Sequence, residues 1–222
     1  MAVDLRNEMV ELRRNLLAMG AAVEQRVTRV IESMIENDLS MAESVKAGDA
    51  EIDRMEVELE SSCMRLLALA QPVAGDLRLI LAVIRISGEL ERVADLARGV
   101  AKKLIKIAAI DVLILPPAMT DLAFATRTML SDVLAALANE DAALCRQVRR
   151  SDQRVDDLYK EILIWGREEI PSHPEATAAA IDALTIAQRF ERIADMTTNI
   201  AEDVIFLVEG RIVRHEAPET GG

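Results

Sequence analysis

The chain has 222 residues, of which 51% are hydrophobic and only 2% aromatic, with 9 Gly and 6 Pro. So aliphatic a composition excludes a typical β-sandwich or barrel and favours helices packed through Ala, Leu, Ile, Val and Met. A formal charge of -12 sets the surface against phosphate backbones, so nucleic acid is not an expected partner.

Periodicity and breakers predict six long helices, at roughly residues 4–36, 39–70, 76–109, 117–138, 141–169 and 175–209. The first begins in a segment, Met1 to Arg14, that carries acids and has no apolar leader core. The best candidate for a membrane span is interrupted by Arg85, so the expectation is a soluble, cytoplasmic protein without membrane insertion.

In the second helix Asp49, Asp53, Glu56 and Glu60 step by four, three and four residues, which puts four carboxylates on one line beside Ile52, Met55 and Leu59. Like charges at that spacing repel, and Asp is a poor helix former, so local propensity does not explain them. Cys63 lies in the same helix and Cys145 in the fifth. Neither belongs to a CxxC or a His-containing ligand pattern, so buried free thiols are expected.

The third helix carries an apolar stripe at Leu79, Val83, Ile86, Leu90, Val93, Ala97, Val100 and Leu104. Glu91 and Asp95 fall on roughly the opposite face. The fifth helix repeats the second: Asp38, Asp49 and Asp53, moved by 103 positions, land on Asp141, Asp152 and Asp156, while Tyr159 and Leu163 stand where Glu56 and Glu60 were. The sixth repeats the third at a shift of 100, with Glu191 and Asp195 for Glu91 and Asp95. Its stripe is Ala179, Ala183, Ile186, Phe190, Ile193, Thr197, Ile200 and Val204.

Duplication implies an all-α protein of two antiparallel three-helix bundles, residues 1–112 and 113–222. Counted outward from the turns near Pro72 and His173, Asp53 comes level with Glu91, Asp49 with Asp95, Asp156 with Glu191 and Asp152 with Asp195. Carboxylates from two adjacent helices suit hard or borderline cations, with iron, manganese and magnesium ahead of zinc. The opposing expectation is that these acids are solvated or paired with Lys46, Arg98, Arg149 and Lys160, three or four residues away. On the same basis the scattered basic residues, Lys102 with Lys103 and Arg149 with Arg150, read as solvated helix faces. His173 and His215 sit in a turn and the tail, outside any catalytic pattern, and no nucleophile elbow, phosphate loop or dinucleotide fingerprint occurs.

Gln71-Pro72-Val73-Ala74-Gly75-Asp76-Leu77-Arg78, Glu91-Arg92-Val93-Ala94-Asp95, Glu191-Arg192-Ile193-Ala194-Asp195, Asn199-Ile200-Ala201-Glu202-Asp203 and the ending Val208 to His215 together resemble the PhoU family of phosphate-transport regulators. The resemblance implies metal-binding motifs, in some members multinuclear, which carry over as Asp49 with Asp53, Glu91 with Asp95, Asp152 with Asp156 and Glu191 with Asp195. It implies no enzyme. The implied role is negative control of phosphate uptake and of the phosphate-starvation response, through the ATPase subunit of a phosphate ABC transporter and a sensor histidine kinase. It leaves room for a homo-oligomer. Gly99 departs from the pattern, since the second repeat has Asn199 there. The rival readings are a metal-free helical adaptor and a ferritin-like di-iron enzyme, the latter lacking the Glu-x-x-His it needs.

Overall fold

A computed structural model describes residues 5–108 and 115–214, the side chain of Asp49 excepted. His215 therefore lies outside the described residues. The helices are α1 (Leu5–Glu36), α2 (Leu39–Ala47), α3 (Asp49–Leu69), α4 (Gly75–Ile107), α5 (Pro117–Asn139), α6 (Ala142–Ser172) and α7 (Thr177–Glu209), with a 3-10 turn at Pro174–Ala176 before the last. The chain is all-α in its described residues, as the composition predicts. The predicted second helix is in fact two, because the chain kinks at Gly48, whose carbonyl accepts a hydrogen bond from the Arg26 guanidinium of α1. Its counterpart in the second repeat, Ser151, lies inside the unbroken α6.

The repeat has a local physical cause at the first turn of each copy. Asn37 and Glu140 both take left-handed backbone, with φ 53° and 55°, and reverse the chain after α1 and α5. Asp38 and Asp141 follow as helix caps: the Asp38 carboxylate accepts from the Ser40 N–H at 2.8 Å and the Asp141 carboxylate from the Leu144 N–H at 2.9 Å. The displacement of 103 residues thus begins with capping chemistry. Replacing Asp141 with Ala is expected to lower stability by about 1 kcal/mol, read as a shift of the urea midpoint without change of slope.

Both apolar stripes are buried along their whole length, and Val93 and Ile193 are 0% exposed. One continuous core runs through both repeats. Beside its stripe α4 packs against α7, the most extensive helix pairing among the described residues. The two helices are antiparallel, with Arg85 against Asp203, Glu89 against Asn199 and Gly99 against Arg189. These partners lie equal numbers of residues either side of positions 94 and 194, so the two helices pair in a symmetric register. The repeats are therefore related by a local two-fold at that pairing. Cys63 and Cys145 are buried and unpaired, and burial pushes their thiols up to about 11 and about 12.

Candidate metal centres

Register between α3 and α4 is fixed by two contacts. The Cys63 thiol reaches the Ile80 carbonyl at 3.9 Å, and Glu56 lies beside Gly88. Continued along both helices, that register brings Asp53 level with Glu91, the expectation from counting. In this first repeat Asp53 is exposed, while Asp95 is half-buried and held by Arg98 at 2.8 Å. Glu56 is raised above the ordinary carboxylate range, chiefly by burial and then by Glu60 and Asp53, with Arg92 opposing.

The second repeat concentrates its acids more tightly. Burial, then Asp195 and Asp156, lift Asp152 to about 6. Glu191 is raised by burial, Asp195, Asp156 and Asp152 against Arg192, and Asp195 by burial and Asp156 against Arg192. All four predicted acids therefore lie in one mutually repelling group between α6 and α7. This repeat has Tyr159 and Leu163 where the first has Glu56 and Glu60, yet burial, which sequence does not show, raises Asp152, Glu191 and Asp195 here.

Some of the anticipated neutralising pairs form elsewhere. Lys160 contacts Asp157, on a different face from Asp156, and Arg149 contacts Glu202. His173 contacts Glu169 at the end of α6 rather than any of these acids. The donor set of the second repeat is all carboxylate oxygen and half-buried, with Arg192 opposing its repulsion, and it fits a hard or borderline metal ion. Among the described residues no three acids, thiols or imidazoles stand in a ready coordination set. Binding would have to bring these carboxylates closer together.

The electrostatics give a sign. Asp152 is raised in the folded state, so the stability linked to it is fully present below the usual aspartate range and is lost as pH climbs through about 6. In metal-free protein at pH 7, Asp152→Asn should stabilise by about 1 kcal/mol, solvent screening at a half-buried site trimming the larger gain a fully buried group would give. Denaturation at pH 7 and pH 4 should show the gain at the first and not at the second.

A second polar group, outside the predicted site residues, lies at the α4–α7 contact. Asp203, 2% exposed, is bound by Arg85 at 3.3 Å and by Arg214 at 3.0 Å. Burial raises its carboxyl and the two guanidinium groups oppose this. Glu89 lies nearby, with one carboxylate oxygen receiving Asn199 at 3.5 Å and the other buried without a partner. Asp203 was visible within the Asn199 to Asp203 motif, but its partner Arg85 comes from the other repeat.

A duplicated helical bundle with carboxylate-lined faces is the class of protein that this fold and these sites define. The profile of the PhoU domain family matches residues 16–104 and again 119–204, and the chain belongs to that family. It is 33% identical over 208 residues to the phosphate-specific transport system accessory protein PhoU of Serratia marcescens, covering 94% of this chain and 86% of that one. The Escherichia coli protein of the same name is 31% identical over the same shares. The crystal structure of PhoU from Pseudomonas aeruginosa superposes with a TM-score of 0.88 at 32% identity, covering 94% of this chain and all of that one. That of the phosphate transport system regulatory protein PhoU from Streptococcus pneumoniae gives 0.84 at 26%, covering 95% and 99%.

Proposed function

We propose that this chain is a negative regulator of phosphate uptake and phosphate-starvation signalling, working in the cytoplasm through contact with the ATPase subunit of a phosphate ABC transporter and with a phosphate-sensing histidine kinase. The observation that carries this reading is the likeness to accessory proteins of phosphate-specific transport, which runs through both repeats and 94% of the chain. No helix in the described residues is long and apolar enough to cross a membrane. Recruitment to the transporter therefore rests on protein contact in this reading, the more so because a net charge of -12 resists anionic headgroups.

Metal belongs to the same proposal. Asp152, Asp156, Glu191 and Asp195, and less strongly Asp49, Asp53, Glu91 and Asp95, would hold iron, manganese or magnesium, whose charge would cancel the acids' repulsion and let an acidic face meet a partner. Arg98, already on Asp95, supports the metal-free adaptor reading for the first repeat alone.

Deletion of the gene is the direct test: phosphate-starvation genes should stay on in phosphate-rich medium. Affinity capture from phosphate-replete cells, with and without chelator, should retain the transporter ATPase or the kinase. Repressed starvation genes with neither subunit retained would overturn the regulatory reading.

A further inference from the structure

Against the overall negative charge, one pocket of about 380 Å³ gathers five cations: Lys46 from α2, Lys102, Lys103 and Lys106 from α4, and Arg189 from α7. Asp182 neutralises Lys103. Lys46, Lys102 and Lys106 have no carboxylate partner among the described residues. The lysines that looked like a scattered, solvated face in sequence are brought together by the packing of α2 and α7 on α4.

The pocket is built as well as charged. The Arg189 guanidinium abuts α4 at Gly99, where any Cβ would collide with it. That is the position at which the first repeat departs from Asn199. The Arg189 Nε is buried and has no hydrogen-bond partner. Burial and Arg192 depress the guanidinium, and Asp95 offsets this in part. Lys102 and Lys106 repel each other across one helical turn, a cost that the fold does not require. The carboxyl-terminal dipoles of α2 and α4 account for Lys46 and Lys106 singly, but not for their convergence with Arg189 on one pocket.

We propose that this pocket binds an anion of linked phosphoryl groups, such as inorganic pyrophosphate or tripolyphosphate or the phosphate tail of a nucleotide. Lysine ammonium groups serve as point charges for phosphoryl oxygens and a guanidinium as a fork of donors. With four cations left after Asp182 has taken Lys103, a single orthophosphate would leave the pocket strongly positive, whereas a chain of two or three phosphoryl groups matches it. This site borders the first carboxylate cluster at Asp95 and does not depend on the regulatory role proposed above.

The test is titration calorimetry of the full chain at pH 7 and physiological salt, with chelator present so that no metal bridges anion to carboxylate. Tripolyphosphate should bind once per chain. Lys102→Gln with Lys106→Gln, both exposed positions that leave the core intact, should weaken it by at least about tenfold, as expected for two lost charge-assisted contacts. Gly99→Ser, which displaces Arg189, should weaken it too. Arg54→Gln with Lys160→Gln, exposed basic sites elsewhere, should change nothing. ATP binding as tightly as tripolyphosphate or tighter would assign the site to a nucleotide tail, and weaker ATP binding to the inorganic chain. Absence of binding, equal binding of sulfate or orthophosphate, or an unchanged affinity in the double lysine variant would overturn the proposal.

Discussion

Titrating Mn(II) into metal-free protein at pH 7 should raise the thermal midpoint steadily with concentration. An ion that binds only the folded chain adds about 2.7 kcal/mol at a hundred times its dissociation constant, equivalent to roughly 5–10 °C for a chain of this size. The gain should come mainly from the second repeat, where Asp152, Glu191 and Asp195 are already pushed up by burial and by neighbouring acids, Asp156 among them. Each must lose any proton it holds for metal to bind, so the gain should shrink as pH falls below about 6. Asp156→Asn with Asp195→Asn should remove most of it. Asp53→Asn with Glu91→Gln, in the repeat where Arg98 already occupies Asp95, should remove less. A midpoint indifferent to Mn(II), or one that responds equally in the Asp156/Asp195 variant, would eliminate the second cluster as a metal site.

Removing Arg85 and Arg214 together should be the most damaging change at the surface of the α4–α7 contact. Each guanidinium is partly exposed, but the carboxylate between them is not: Asp203 is 2% exposed. Either arginine alone leaves Asp203 one partner. The double replacement by Ala strands a buried charge, which costs about 3–5 kcal/mol, and also removes the Arg85 guanidinium from its place over the Phe206 ring. Adding Asp203→Asn to the double variant should recover much of the loss, because a neutral amide has no charge to strand. The sign with pH follows from the raised Asp203 carboxyl: protonation relieves the stranded charge, so the penalty in the double variant should lessen as pH falls. Urea denaturation at neutral and acid pH reads both effects, and a penalty no larger than that of either single variant would show that Asp203 does not depend on the pair.

The stripe positions were legible because a buried helix face writes itself as apolar residues every three or four places, and all sixteen predicted stripe residues are buried. The level pairing of acids was legible for the same geometric reason. Gly48 gave a weak signal for the break between α2 and α3, but what holds the kink there is Arg26 from α1, a contact no local pattern contains. Burial of Asp152 was equally hidden, since its sequence neighbours Ser151 and Gln153 are polar. The basic pocket was the least legible: its lysines fall among apolar residues on α4, and only Gly99 in place of an Asn, read beside Arg189, marked the place where another helix comes close.

Helices α4 and α7 meet as the two halves of a symmetric dimer interface meet, with each contact answered by its counterpart across the axis. In a true dimer of identical subunits that symmetry is compulsory, so a change on one side appears on the other. Joining the halves in one chain removes the obligation. Glu89 and Arg189 occupy equivalent positions, and so do Asn199 and Gly99, yet one end of the crossing holds a carboxylate against an amide and the other a guanidinium against bare backbone. Equivalent positions likewise carry Asp203 at the first end and Lys103 at the second. Covalent fusion keeps the paired architecture assembled at any dilution and frees its two poles to diverge in charge, so that one symmetric frame can present different chemistry to different visitors.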